Sequence, residues 1–136
     1  MANNEKDLPG YGNPEEKRIL IVDDDESVWD LLYYIVRKEG FMVEKASDGE
    51  EALSKAKILH PALILLDLML PRLSGAELLT KLRLDPKGKS VKVIALTNLA
   101  EQEEKNKIMS LGALEYLIKA MQTPEEVVQK VKAHLS

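Results

Sequence analysis

Four apolar runs in this chain each give way abruptly to a polar side chain. Ile19-Leu20-Ile21-Val22 leads into Asp23-Asp24, Leu63-Ile64-Leu65-Leu66 into Asp67, Val93-Ile94-Ala95-Leu96 into Thr97, and Tyr116-Leu117-Ile118 into Lys119. Asp67 is the sharpest case, with only apolar residues for three positions on either side. A carboxylate at the mouth of an apolar strand is costly unless it is paired, hydrogen-bonded or bound to metal. In isolation it reads as a cap on the strand or on the next helix. Four such ends at one edge make coincidence a poor account, and the sharper reading is a placed nucleophile or ligand. Three carboxylates about 4 Å apart repel by roughly 4 kcal/mol per pair near a surface. A divalent cation together with Lys119 would cancel Asp23, Asp24 and Asp67. Carboxylates with a backbone carbonyl and water suit Mg²⁺. Thr97 adds a hydroxyl donor and Lys119 a cationic one, the equipment of phosphoryl transfer.

The elements that must bring these groups together are legible in the apolar periodicity. Runs of four apolar residues in Arg18–Val22 and Leu63–Leu66 read as strands buried on both faces, as in parallel sheets. Phe41–Ala46, Val91–Leu96 and Glu115–Ile118 read as three further strands. Between them lie helical patterns. Val28, Leu31, Leu32, Ile35 and Val36 form one stripe, stopped at Gly40 where a left-handed cap is needed. Asp48-Gly49 turns into a helix carrying Ala52, Leu53, Ala56 and Leu59, closed by Pro61. Pro71 and Gly75 mark a tight loop after Asp67, and Ser74-Gly75-Ala76-Glu77 has the spacing of a capping box. Asp85-Pro86-Lys87-Gly88 is a turn. Glu101–Leu111 is a charged helix ended by Gly112. Thr123-Pro124-Glu125-Glu126 is a second capping box, with Pro at the first helical position, opening a last helix on Val127, Val128, Val131 and Leu135. Asp25 and Glu26 belong to helix capping and the first-turn dipole. Strands alternating with helices predict an α/β fold: a doubly wound, five-stranded parallel sheet with helices on both faces. In such sheets, sites form at the carboxyl ends of the strands near the switch in strand order.

Composition narrows the function classes. The chain has 136 residues, one domain's length, and is 45% hydrophobic and 31% charged, as ordinary globular proteins are. A net charge of −4 gives no general affinity for nucleic acid or anionic membranes. The absence of cysteine excludes disulfides and thiolate metal sites and is compatible with a cytoplasmic location. Residues 1–16 are polar, with Pro9, Gly10, Gly12 and Pro14, and lack the apolar core of a signal peptide. They read as a flexible tail, tacked down by Tyr11, ahead of a single domain over 17–136.

Asp-Asp after the first strand, Asp-Leu-Met-Leu-Pro with Gly after the third, Leu-Thr at the fourth and Tyr-Leu-Ile-Lys at the fifth together resemble the receiver domain of bacterial two-component response regulators. The likeness covers about Lys17–Leu135. It implies strand order 2-1-3-4-5, shared with flavodoxin-like folds. It implies that Asp67 is the phosphoacceptor, phosphorylated by a sensor histidine kinase or phosphotransfer protein. Asp24 would bind Mg²⁺ directly, Asp23 would hold metal-bound water, and Asp67 and the Met69 carbonyl would complete the metal set. Thr97 and Lys119 would bind phosphoryl oxygens, and Tyr116 would be the switch aromatic that turns inward when Thr97 moves. Output would be a change in the face made by the fourth helix, fifth strand and fifth helix, read by a downstream protein. The implied protein catalyses only its own phosphorylation and dephosphorylation, contacts neither nucleic acid nor membrane, and is a monomer or a phosphorylation-dependent dimer. Since the sequence closes one helix after Lys119, a stand-alone, chemotaxis-regulator-like receiver is the expectation.

Two positions depart from the family pattern. Ala120 stands where proline with a cis bond is usual, and a non-proline cis bond costs about 2.5–4 kcal/mol, so the loop after Lys119 is expected to be strained or different. Asn98 stands where a small residue is usual and is expected to crowd the phosphoryl pocket. Three rival readings compete with this one. A flavodoxin-type nucleotide binder would need Gly, Ser or Thr where Asp23-Asp24-Asp25 stand. A Mg²⁺-dependent phosphatase would need an acid where Met69 stands. A degenerate receiver, acting as a phosphorylation-independent protein-interaction module, takes its support from Ala120.

Overall fold

A computed structural model of the chain describes residues 17–136, and the expected tail, with Tyr11, lies outside the described residues. Five strands alternate with five helices: β1 (Arg18–Val22), α1 (Glu26–Lys38), β2 (Met42–Ala46), α2 (Gly49–Leu59), β3 (Leu63–Leu66), α3 (Gly75–Leu84), β4 (Lys92–Thr97), α4 (Gln102–Ser110), β5 (Glu115–Ile118) and α5 (Pro124–Leu135). All strand pairs are parallel, in the order β2-β1-β3-β4-β5. The predicted architecture is therefore the observed one.

Side-chain alternation along each strand divides the core in two. Leu20, Val22, Ile64, Leu66, Val93 and Ala95 face Ala52, Ala56, Leu78, Leu79, Leu82 and Ile108 from α2, α3 and α4. Ile19, Ile21, Leu63, Leu65, Ile94 and Leu96 face Leu32, Val36, Val127, Val128 and Val131 from α1 and α5. With both faces covered, the central strands contain no position that tolerates a polar side chain. Polarity is confined to their ends.

The helix boundaries follow the sequence signals. Asp25 caps α1 by accepting from the Ser27 and Val28 N–H groups, and Gly40 beyond it has φ +95°. Capping boxes open α3 (Ser74, Glu77) and α5 (Thr123, Glu126). The chain enters β2 at Met42 rather than Phe41, where the ladder begins with Met42 N–H donating to the Lys17 carbonyl. β4 is shifted by one residue, from Lys92 to Thr97, because Thr97 still pairs with Ile118 of β5.

Candidate functional site: an acidic pocket at the strand ends

Register decides which ends meet. Val22 pairs with Leu66, so the next residues, Asp23 and Asp67, leave neighbouring strands at one level. That is also where the chain order reverses, with β2 on one side of β1 and β3 on the other. The Asp67 N–H donates to the Val22 carbonyl at 3.0 Å, extending the ladder under the site. Behind Asp67 the first turn of α3 presses close. A Cβ on Gly75 would lie 2.6 Å from Leu68 Cα and 2.8 Å from the Asp67 carbonyl oxygen, so only glycine fits.

Asp23 is 2% exposed and Asp67 6%, whereas Asp24 is on the surface. Their carboxylate oxygens lie within 4.8 Å of one another. Lys119 spans the two buried acids, with its Nζ 2.6 Å from Asp23 Oδ2 and 2.8 Å from Asp67 Oδ2. The other oxygens are held by backbone: Asp25 N–H donates to Asp23 Oδ1 at 2.9 Å, and Met69 N–H to Asp67 Oδ1 at 3.0 Å. Both carboxylates are thus fixed in direction.

One ammonium does not balance three carboxylates. Burial pushes the Asp23 carboxyl above its ordinary value, and the Asp67 charge adds to this. The hydrogen bonds from Lys119 and the Asp25 N–H only partly oppose it. Burial draws the Lys119 ammonium down, but its hydrogen bonds to Asp23 and Asp67, with their charges, outweigh this and raise it. The donor set is all hard oxygen, crowded and under-neutralised, and it fits a small divalent cation such as Mg²⁺.

The flanking strand end carries the other polar groups. Thr97, fully buried, closes β4, and its Oγ1 accepts from the Leu99 N–H at 3.2 Å. Lys119 opens a single 3-10 turn, Lys119–Met121, that leads to α5. Tyr116 is half-buried on β5, and Met69 is 58% exposed on the rim.

A family model described as "Response regulator receiver domain" matches residues 19–132. The chain belongs to the response regulator receiver domain family. It is 44% identical over 119 residues to the alkaline phosphatase synthesis transcriptional regulatory protein PhoP of Bacillus subtilis (strain 168), covering 88% of this chain and 48% of that protein. The receiver thus spans about half the length of the curated relatives it matches. Among solved structures it is similar to the CheY-like receiver domain protein of Methanospirillum hungatei JF-1, with TM-score 0.81, 36% identity, and coverage of 89% of this chain and 94% of that one. It is also similar to the receiver domain of the sensor histidine kinase PA1611 of Pseudomonas aeruginosa PAO1, with TM-score 0.79, 27% identity, and coverage of 88% and 98%. That structure holds a magnesium ion in its active-site cleft.

All described peptide bonds in this receiver are trans, including Lys119–Ala120. Ala120 nonetheless leaves Lys119 aimed at both acids. Sequence reasoning missed what Asn98 does: its Oδ1 accepts from the Ala120 N–H at 3.0 Å, tying the loop after β4 to the loop after β5. It also missed the Tyr116 hydroxyl, which donates to the Leu99 carbonyl at 2.5 Å. The only advance signal for the first was that both unusual residues directly follow a candidate site residue.

Proposed function

We propose that this receiver takes a phosphoryl group onto Asp67 from a histidine kinase or phosphotransfer protein, in a Mg²⁺-dependent reaction, and signals through an altered protein-binding face. The observation that carries the reading is the Lys119 ammonium seated between the Asp23 and Asp67 carboxylates. An Asp67 oxygen forms a bond to phosphorus as the donor's phosphorus–nitrogen bond breaks, and the leaving imidazole nitrogen keeps the electron pair and takes a proton. Met69 N–H orients the attacking carboxylate by holding Oδ1. Lys119 neutralises charge on the Oδ2 side, where phosphoryl oxygens arrive.

Asp24, Asp23, Asp67 and the Met69 carbonyl are the groups that would hold Mg²⁺. Bound there, the ion supplies positive charge to the phosphoryl oxygens and to the crowded acids. Thr97 and Lys119 would bind phosphoryl oxygens, and Tyr116 would follow Thr97 inward. Phosphorylation replaces a charge of −1 by about −2. The change would be read by a downstream protein on the α4–β5–α5 face, with the receiver a monomer or a phosphorylation-dependent dimer in the cytoplasm. Its catalysis extends only to its own phosphorylation and dephosphorylation.

The test is intact-protein mass after incubation with acetyl phosphate and Mg²⁺. The parent should gain one phosphoryl group and Asp67→Asn none. Equal gain by both would remove Asp67 from the role.

A further inference from the structure

The two residues that depart from the family pattern meet in space. Asn98 follows Thr97, Ala120 follows Lys119, and the Asn98 side chain holds the Ala120 N–H at 3.0 Å. Thr97 and Ile118 are register partners, so the two loops leave the sheet side by side. The bond falls on the peptide immediately after Lys119, which sets where the lysine side chain departs from the backbone. Downstream, the Gln122 N–H closes the 3-10 turn onto the Lys119 carbonyl at 3.2 Å. Lys119 is a long side chain with several free torsions, and its ammonium must sit on two carboxylates at once. A wandering backbone beneath it would disperse that contact. Ala120 has the N–H that proline lacks, and Asn98 has the carbonyl to receive it.

We propose that Asn98 is a positioning residue for Lys119. By accepting the Ala120 N–H it fixes the turn from which the ammonium reaches Asp23 and Asp67, and it couples that turn to the Thr97 loop. The consequence for reaction rate rests on the phosphoacceptor reading above, whereas the positioning itself does not.

The test compares the parent with Asn98→Ala, which removes the acceptor, and Asn98→Asp, which keeps one. Three quantities are read: hydrogen exchange of the Ala120 amide, the ¹H–¹⁵N NMR cross-peak of the Lys119 ammonium in the unphosphorylated protein, and the rate of mass gain from acetyl phosphate at saturating Mg²⁺. Asn98→Ala should expose the Ala120 amide to exchange, broaden or abolish the Lys119 cross-peak, and slow phosphorylation roughly two- to tenfold, the range of one hydrogen bond. Asn98→Asp should keep both the amide protection and the cross-peak. A persistent, sharp cross-peak in Asn98→Ala overturns the proposal whatever the rate, and a lost cross-peak upholds the positioning even where the rate is unchanged. A lowered melting temperature with cross-peak and rate intact would make Asn98 a mere prop for the loop, and overturns it too. If Asp67→Asn still gained mass, the phosphoacceptor reading would fall, while the cross-peak would still judge Asn98.

Discussion

The Tyr116 hydroxyl donates a hydrogen bond to the Leu99 carbonyl across 2.5 Å, linking β5 to the loop that follows Thr97. Tyr116 and Leu99 both pack on the α2–α3–α4 side of the core. Two residues of backbone and one hydrogen bond therefore connect Thr97 to Tyr116, the route along which a pull on Thr97 would reach it. Burial, with the charges of Glu104 and Glu101, raises the Tyr116 phenol above 10.0. A group whose folded value is raised gives stability that is present below its unfolded value and lost as pH climbs through the folded one. Tyr116→Phe should cost about 0.5–1.5 kcal/mol at neutral pH. The gap between parent and variant should close above pH 10, as chemical denaturation across that range would show.

Asp23 carries the opposite tension between stability and function. Its raised carboxyl means the folded state keeps a proton that the unfolded state has already released. That contribution is complete below 3.8 and disappears as pH rises through the raised folded value, leaving a strained anion at neutrality. Asp23→Asn should therefore raise the melting temperature at pH 7 without Mg²⁺, and the advantage should shrink toward pH 4. The same variant should lose most of the parent's Mg²⁺-induced rise in melting temperature. A variant less stable than the parent in metal-free buffer would contradict this account of the site.

Lys119 is the counterweight. Removing it leaves two buried carboxylates facing each other, and breaking such a pair costs about 3–5 kcal/mol when fully buried. Because the Lys119 side chain keeps 17% of its exposure, Lys119→Ala should fall at the lower end of that range. Mg²⁺ should restore part of the loss. Melting curves with and without the ion check both statements.

The sheet and the acids at its edge were readable because a strand covered on both faces leaves polar residues nowhere to go but the ends, whereas the strand order came from the family resemblance alone. Asp23, Asp67, Thr97 and Lys119 stood out against Leu, Ile and Val for that reason. Asn98 and Ala120 were visible only as two separate oddities. Each residue's type constrains a loop weakly, and their pairing depends on the β4–β5 register that sets Thr97 beside Ile118. The Tyr116–Leu99 bond was hidden likewise, since a backbone carbonyl leaves no mark on residue type.

Gly75 ties the acceptor to α3. Its missing side chain lets the helix start lie against Leu68 and the Asp67 carbonyl, with no room for a methyl group. Gly75→Ala is an overpacking change and should cost about 1–3 kcal/mol. Since backbone rather than a flexible side chain must give way, Asp67 should move with it. Phosphorylation should slow more than the stability loss alone predicts, which comparison with an equally destabilising substitution far from the site, such as Val131→Ala, would show.

The lifetime of the phosphoryl group should be set at the rim beside Asp67. Hydrolysis needs a water in line with the phosphorus–oxygen bond, and fast phosphoryl hydrolysis relies on an amide or acid to orient that water. Two apolar residues, Met69 and Leu99, stand two positions beyond Asp67 and Thr97. The structure separates them. Met69 is 58% exposed on the segment whose N–H holds Asp67 Oδ1, whereas Leu99 is half-buried against the core. An amide at 69 would reach solvent near the acceptor, but one at 99 would first have to leave the apolar packing. Met69→Asn should therefore speed decay of phosphorylated protein several-fold, and Leu99→Gln should change it little while lowering stability. The decay of phosphorylated protein, followed by mass for each variant and the pair, gives the comparison. Equal decay in parent and Met69→Asn would remove the side chain at 69 from control of the rate.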